Sequence, residues 1–488
     1  MRSGIPIHEE YLQMPTPTDR PVTFALYFGN RGFFPSEMLS TAREEISGLL
    51  AKWGYGVLMM DADATRFGAV ETVAEGQLYA DWLKGHEGEY DGVILSLPNF
   101  GDETGAVTAL RDAGVPVLVQ AYPDELDKMG KESRRDAFCG KFSIMDMFCQ
   151  YGIPFTALKP HTVAPSSETF QGNVEHFAKV CRVVRGMKRL TVGAIGARTT
   201  AFKTVRIDEL ALQKAGITME TLDLSIVIER VRKMAAAGAA YRESADRFRE
   251  ATCWKGVPDA SFENLVKLSV VLDEVIDEYA LDAIALRCWI EMEQQLGVCP
   301  CVVLGDLNNR GLTAACEVDV GNAVTMHALR LAAGAKSAMC LDWNNNYADD
   351  EDKCILFHCG PVAFDLMTAK GEVVDHYMLA TAVGEGNSFG CNQGRIRPMP
   401  FTFGSMLTEE GMLKFYLGEG EFTSDPIPAD FFGCAGVAHF DRLQDVLLYV
   451  GRNGYRHHTS VAEGYNLCAV REALQDYLGF AVAVPQEL

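Results

Sequence analysis

Short apolar runs alternate with amphipathic stretches over the first two thirds of the chain, and the alternation stops near residue 349. The first block runs from 21 to about 159. VTFALYFGN (22–30) precedes an amphipathic stretch at 36–53, YGVLMMDAD precedes one at 69–84, and YDGVILSLPNF precedes 104–113 and then VPVLVQAYP. Strands alternating with helices predict βαβ units and a parallel sheet, with functional groups at the strand C-termini. Asn30, Arg31, Asn99, Phe100 and Tyr122 fall at such ends, although ordinary turn residues are the plainer reading of each alone. A second block covers 170–342. Helices are predicted at 173–187, 206–215, 225–249 and 259–279, and strands at RLTVGAIGAR, ITMETLDLS and DAIALRCW, the last delivering Arg287, Cys288 and Trp289. A glycine-bearing turn at 308–311 leads to Glu317 and Asp319, a helix at 322–333 stopped by Gly334, and a strand at 337–341 ending on Asp342, then Trp343 and three asparagines.

Beyond 349 the runs CILFHCGP, DHYMLATAVG, RIRPMPFTFGSML, MLKFYLGEGEF and DVLLYVGRNG read as strands separated by glycine turns, without intervening helices. Helix returns only at 467–478, after RHHTSVAEGYN. The expected fold is α/β: two parallel-sheet α/β domains followed by a C-terminal β-rich, antiparallel barrel-like domain. The expected boundaries are 1–165, 166–349 and 350–488.

Composition narrows the class. Hydrophobic residues make up 48% and charged ones 23%, the balance of a folded globular chain. A net charge of −22 argues against a nucleic-acid surface, which needs clustered Lys and Arg. No apolar run has the length to cross a bilayer, so no membrane association is expected. The start, MRSGIPIHEEYLQMPTPTDR, lacks the apolar stretch of a secretory signal. Fourteen cysteines show no CxxC pairs, and Cys299-Pro-Cys301 is too close for zinc-finger spacing; free thiols in a reducing cytoplasm are expected.

The chemistry concentrates at 299–346. Gly193-Ala-Ile-Gly196-Ala-Arg198 follows a strand but lacks the third glycine of a dinucleotide fingerprint. Glu317, Asp342 and a histidine from the final block make a better set. Two carboxylates and one imidazole suit a hard divalent cation such as Mn²⁺, with Mg²⁺ or Co²⁺ as alternatives, and leave positions for a substrate's adjacent carbonyl and hydroxyl oxygens. Each residue has a bland alternative: Glu317 as a helix cap, Asp342 as an Asx turn, His457 and His458 as turn histidines. His358 in LFHCGP is a fourth ligand or a substrate contact, and His327 reads as a packed or surface residue. Arg395 and Arg397 could hold an anionic substituent or merely answer the surplus of acids. Arg31, Trp289, Trp343, His358, Arg395, Arg397 and His457 complete the candidate substrate contacts.

ALRCW, CPC, ACEVD (Glu317), LDWNN (Asp342), FHCGP (His358) and RHHTS (His457, His458) stand in an order that resembles the L-fucose/L-arabinose isomerase superfamily. GARTTAFKTVRIDE (196–209) is similar to a motif of related sugar isomerases, and Asp rather than Glu at 342 is similar to the fucose isomerase side. The resemblance extends from about 192 to 466. It implies an Mn²⁺-dependent aldose–ketose isomerase of a monosaccharide working through a cis-enediol, with Glu317 and Asp342 as both ligands and acid/base pair and His458, or alternatively His457, as the third ligand. His358 matches a ligand position on the arabinose isomerase side. The resemblance further implies a homo-oligomer, a hexamer, whose N-terminal domain closes over a neighbour's site. Relatives acting on 6-modified sugars such as sulfoquinovose share this look, and Arg395, Arg397 or Arg31 would then serve a sulfonate. The alternatives of another class are a metal-dependent sugar aldolase or dehydratase, and a non-catalytic sugar-binding protein.

Overall fold

The computed structural model describes residues 20–334 and 336–488. The stretch 1–19, where no secretory signal was read, lies outside the described residues. Two compact units result: residues 20–185 with Ala469–Gly479, and Gly186–Cys468 with Phe480–Leu488.

The first unit is built on four parallel strands, β1 (Thr23–Phe28), β2 (Gly56–Met59), β3 (Gly92–Leu97) and β4 (Val117–Ala121), in the order β2-β1-β3-β4. Its central strands are near-continuous apolar runs because both faces are covered by helices. Along β1, Ala25 and Tyr27 enter one core while Phe24, Leu26 and Phe28 enter the other, as a two-residue period dictates. Asn30 follows β1 and Asn99 follows β3, both buried, with the Asn99 amide donating to Asn30 Oδ1 and the Asn30 amide to Glu71.

The second unit opens with another parallel sheet, ordered β6-β5-β7-β8, from β5 (Thr191–Ile195), β6 (Thr218–Leu222), β7 (Ala283–Leu286) and β8 (Thr313–Cys316). A nine-stranded sheet follows. Six of its strands, β9 (Ala338–Tyr347), β10 (Asp350–His358), β13 (Met399–Glu409), β14 (Met412–Phe422), β15 (Cys434–His439) and β16 (His458–Glu463), form a ring that the β14–β15 pairing closes. Every step around that ring is antiparallel, so the barrel has no open edge. β11 (Glu372–Asp375), β12 (Phe389–Arg395) and β17 (Ala481–Ala483) are appended to it. Phe401, Phe403, Tyr416 and Phe440 fill the interior. The expected class, two parallel α/β sheets and a β-rich barrel, is the fold found.

Helix Val320–Ala332 joins β8 to β9 and packs on β7 and β8 as well as on β13 and β16. All thirteen of its residues are buried, the polar Asn322, Thr325, His327 and Arg330 among them.

Three local readings differ from the structure. The strand expected at 337–341 runs on through Asp342 as β9 and is hydrogen-bonded into the barrel sheet, antiparallel to β16. The helix read across 225–249 is two, Leu224–Lys233 and Ala239–Ala251, parted before Gly238 at φ 99°. The last block does contain helices. DVLLYVGRNG belongs to helix Leu443–Arg452, whose buried Leu443, Val446 and Val450 follow helical spacing, and DHYMLATAVG contains helix Tyr377–Val383. Runs this short and apolar satisfy both periods, and tertiary packing decides.

Candidate active site

β8 ends at Cys316, and the chain then turns through two consecutive residues in the left-handed region, Glu317 at φ 63° and Val318 at φ 60°. A β-branched residue there is a genuine outlier, and strain of about 1–3 kcal/mol per residue of this kind persists only where the surroundings impose it. Here they do. Asp319 caps the following helix by accepting the Asn322 amide at 3.1 Å, and Trp289, just beyond β7, donates from Nε1 to Glu317 Oε1 at 2.9 Å.

His458 opens β16 directly opposite Asp342 on β9. Its Nε2 lies 3.0 Å from Glu317 Oε2 and 3.2 Å from Asp342 Oδ1. On the far side of the ring, Nδ1 lies 2.8 Å from Asp319 Oδ2. Asp319 is itself buried, clamped by the Arg456 guanidinium and by the Asn322 side-chain amide at 2.6 Å. Because a carboxylate can only accept, Nδ1 donates its proton to Asp319, and Nε2 faces two more carboxylates. Apart from its 3.2 Å contact with Nε2, Asp342 Oδ1 has no hydrogen-bond partner among the described residues. Two carboxylate oxygens and Nε2 thus converge around one proton of a charged His458, a proton that a cation bound there would replace.

Charge follows contact. Burial alone would raise Glu317 and Asp342, but the hydrogen bonds and charge of His458 outweigh it and hold both below the ordinary carboxylate range. For Asp319 burial is again overcome, chiefly by Arg456 and then His458, and its carboxyl is driven far down. His458 is raised in turn: burial opposes the charged ring, and Cys340, Asp319 and Asp342 prevail.

His458 is common to three groupings whose ligand-type atoms lie within 4.8 Å of one another: with Glu317 and His358, with Asp342 and His457, and with Asp319 and Cys340. His457 is nearly half exposed, with Nε2 3.7 Å from Asp342 Oδ1. Phe202 stands over the site, its ring 5.8 Å from Trp289, 5.4 Å from His457 and 5.6 Å from His458.

The other expected contacts are engaged with partners of their own. Trp343 points from β9 into the barrel core, packed on Phe403 and Phe440, with Nε1 donating to the Tyr416 hydroxyl at 3.3 Å. Arg395 is spent on the carbonyls of Gly394, Pro428 and Phe431. Arg397 donates to the Asp365 carbonyl and pairs with Glu463 at 2.9 Å. Arg31 belongs to the first unit, where it stacks on Phe100 and pairs with Glu103. His327 is buried, and neither of its nitrogens has a hydrogen-bond partner among the described residues. Sequence reading gave no role to Asp319, Arg456 or Phe202. Asp319 did carry a signal, an Asp three residues before Asn322 at a helix start.

Two parallel α/β sheets, a closed antiparallel barrel and a carboxylate–histidine group drawn from the end of β8, the middle of β9 and the start of β16 are the frame of a sugar isomerase. Residues 25–188 match the N-terminal domain of the fucose/sulfoquinovose isomerases, and residues 356–485 match the C-terminal domain of L-fucose isomerase. The chain belongs to this family of aldose–ketose isomerases and is an enzyme of that class, not a sugar-binding module. It is similar to sulfoquinovose isomerases of Priestia aryabhattai and Priestia megaterium, each 23% identical over 329 residues, 67% of this chain and 71% of the relative. A sulfoquinovose isomerase of Alkalicoccus urumqiensis is 23% identical over 57% of this chain and 61% of its own length. No helix among the described residues is long and apolar enough to cross a membrane.

Proposed function

We propose that the chain interconverts an aldose and its 2-ketose with a divalent cation held by Glu317, Asp342 and His458. The observation that carries this reading is the convergence of the Glu317 and Asp342 carboxylates on Nε2 of His458, with Nδ1 already committed to Asp319. Mn²⁺ is the first candidate, Mg²⁺ or Co²⁺ the alternatives, and the bound ion supplies Lewis-acid polarisation of the sugar carbonyl.

The protein's own groups do the rest. One carboxylate of the Glu317/Asp342 pair takes the C2 proton, and the other moves a proton between O1 and O2, so that a cis-enediol links aldose and ketose. Trp289 fixes Glu317 through its Nε1–H, and the rings of Trp289 and Phe202 form an apolar wall beside the carboxylates. His457, more exposed and farther from Asp342, serves as a substrate contact rather than the ligand.

Because the relatives named above are sulfoquinovose isomerases, the 6-sulfonated aldose is the first substrate to offer, followed by neutral aldoses including fucose and arabinose. The family reading also proposes a cytoplasmic homo-oligomer, a hexamer, with three domains per chain divided near 165 and 349 and active sites between subunits. Light scattering on the purified protein measures the subunit number.

The deciding experiment is Glu317→Gln assayed with saturating Mn²⁺. Loss of ketose formation by a factor of at least about 10³ in a folded variant supports the reading, and near-normal turnover sinks it. Ketose as the sole product, without C–C cleavage or dehydration, separates isomerase from aldolase or dehydratase.

A further inference from the structure

Two buried histidines face the carboxylates with their rings 5.7 Å apart, and their hydrogen bonds assign them opposite tautomers. His458 gives its Nδ1 proton to Asp319 Oδ2, which makes Nε2 the nitrogen that offers a lone pair once a cation displaces its proton. His358 does the reverse. The backbone N–H of Cys359, which can only donate, lies 2.9 Å from His358 Nδ1, so that nitrogen is the acceptor and the ring proton sits on Nε2. Neighbouring parts of the turn restrain this arrangement. The Cys359 carbonyl accepts the Cys391 thiol, and Gly360 lies so close to the Asn392 backbone that no side chain would fit there.

His358 is only 2% exposed, and its Nε2 has no hydrogen-bond partner among the described residues. One of its nitrogens lies within 4.8 Å of a Glu317 carboxylate oxygen and of a His458 nitrogen. A ligand to a cation must present a lone pair at the coordinating nitrogen. For His358 Nε2 to do so, Nδ1 would have to carry the proton, directly against the Cys359 N–H.

We propose that His358 is not a metal ligand but a catalytic hydrogen-bond donor, whose Nε2–H binds a substrate oxygen that gains negative charge as the sugar is enolised. This deepens the isomerase reading and rests on it. A buried, preoriented N–H with no acceptor of its own is what stabilisation of developing charge requires, because it needs no reorganisation when the charge appears. Removal of one such donor costs on the order of 10²–10³ in kcat.

The test separates ligand from donor by measuring two quantities on each variant. Mn²⁺ affinity is measured by calorimetry on metal-stripped protein, and kcat on the Mn²⁺-loaded enzyme. His358→Phe keeps a planar ring without the donor; its Mn²⁺ affinity should stay within about threefold of wild type while kcat falls by 10²–10³. His358→Gln restores an N–H near the same place and should recover at least tenfold of that loss. His458→Phe, the control, should lose Mn²⁺ affinity by tenfold or more. If either folded His358 variant loses Mn²⁺ affinity as His458→Phe does, or if His358→Phe keeps wild-type kcat, the donor assignment is overturned. Should His358→Phe fail to fold, His358→Gln decides by the same two measurements: Mn²⁺ affinity within about threefold of wild type with kcat lowered by no more than about 10² supports the donor role, and loss of Mn²⁺ affinity as in His458→Phe or a deeper fall in kcat overturns it. The isomerase reading fails differently, through wild-type protein that binds no Mn²⁺ or a fully active Glu317→Gln.

Discussion

His458 Nδ1 and Asp319 Oδ2, 139 positions apart in sequence, lie 2.8 Å apart, and both side chains are buried. The contact fixes both the rotamer and the tautomer of the ring that faces Glu317 and Asp342. Asp319→Asn can turn its amide toward Nδ1 and donate, which reverses the tautomer and points an N–H at the carboxylates. We expect a 10–100-fold loss of Mn²⁺ affinity in calorimetric titration of folded, metal-stripped protein. A drop in stability of about 3–5 kcal/mol should accompany it, since Arg456 is then buried without its counter-charge. Wild-type affinity in the folded variant would remove Asp319 from the site's support.

The Trp289–Glu317 hydrogen bond gives a milder prediction. Trp289→Phe keeps much of the apolar wall with Phe202 and deletes only the Nε1–H that restrains Glu317. A hydrogen bond to a charged group is worth about 1.5–3 kcal/mol. At a partly exposed carboxylate the low end applies, so kcat should fall about tenfold with a small change in melting temperature. Steady-state kinetics beside a thermal melt make the comparison, and a large stability loss with unchanged kcat would mean that Trp289 only packs.

How much of this was legible without coordinates differs by residue. Glu317 and Asp342 stood out because carboxylates near the ends of apolar runs are visible in one dimension, and His457 and His458 because a histidine doublet before a helical stretch is. The support was not legible, since Asp319 and Arg456 acquire meaning only when β16 is laid against β9 and helix Val320–Ala332 is buried beneath them. The parallel sheets announced themselves through strand–helix alternation. Barrel closure did not, because β14 pairs with β15 through only two residue pairs, Glu421 with His439 and Phe422 with Ala438. Helix Leu443–Arg452 was misread because DVLLYV is as good a strand as a helix until Leu443, Val446 and Val450 are seen to be the buried positions.

Gly321, in the first turn of the buried helix, shows how closely the barrel's Arg456 approaches. A Cβ there would overlap the Arg456 guanidinium and come within 2.9 Å of the Met406 carbonyl oxygen. Gly321→Ala should therefore destabilise by about 1–3 kcal/mol, as overpacking does, although alanine is the better helix former. Displacement of Arg456 should also weaken Mn²⁺ binding through Asp319. Urea denaturation read beside metal titration tests both, and a stabilised variant would contradict the packing.

Glu293 offers a pH signature independent of the metal site. It is 1% exposed, neither carboxyl oxygen has a hydrogen-bond partner among the described residues, and burial pushes its pKa from 4.5 up to about 8, with smaller contributions from Cys301 and Glu291. A carboxyl whose folded pKa is raised holds its proton longer in the native state than in the unfolded one. Native protein therefore binds more protons between about pH 4.5 and pH 8, and stability falls as pH rises through that window, by at most about 1.4 kcal/mol per pH unit. Glu293→Gln keeps the shape of the protonated acid and cannot ionise. It should melt close to wild type at pH 5 and increasingly above it from pH 6 to pH 8, flattening the pH dependence. Parallel melting curves across the range, with the variant no more stable at pH 8 than at pH 5 relative to wild type, would show that Glu293 finds a partner in solution.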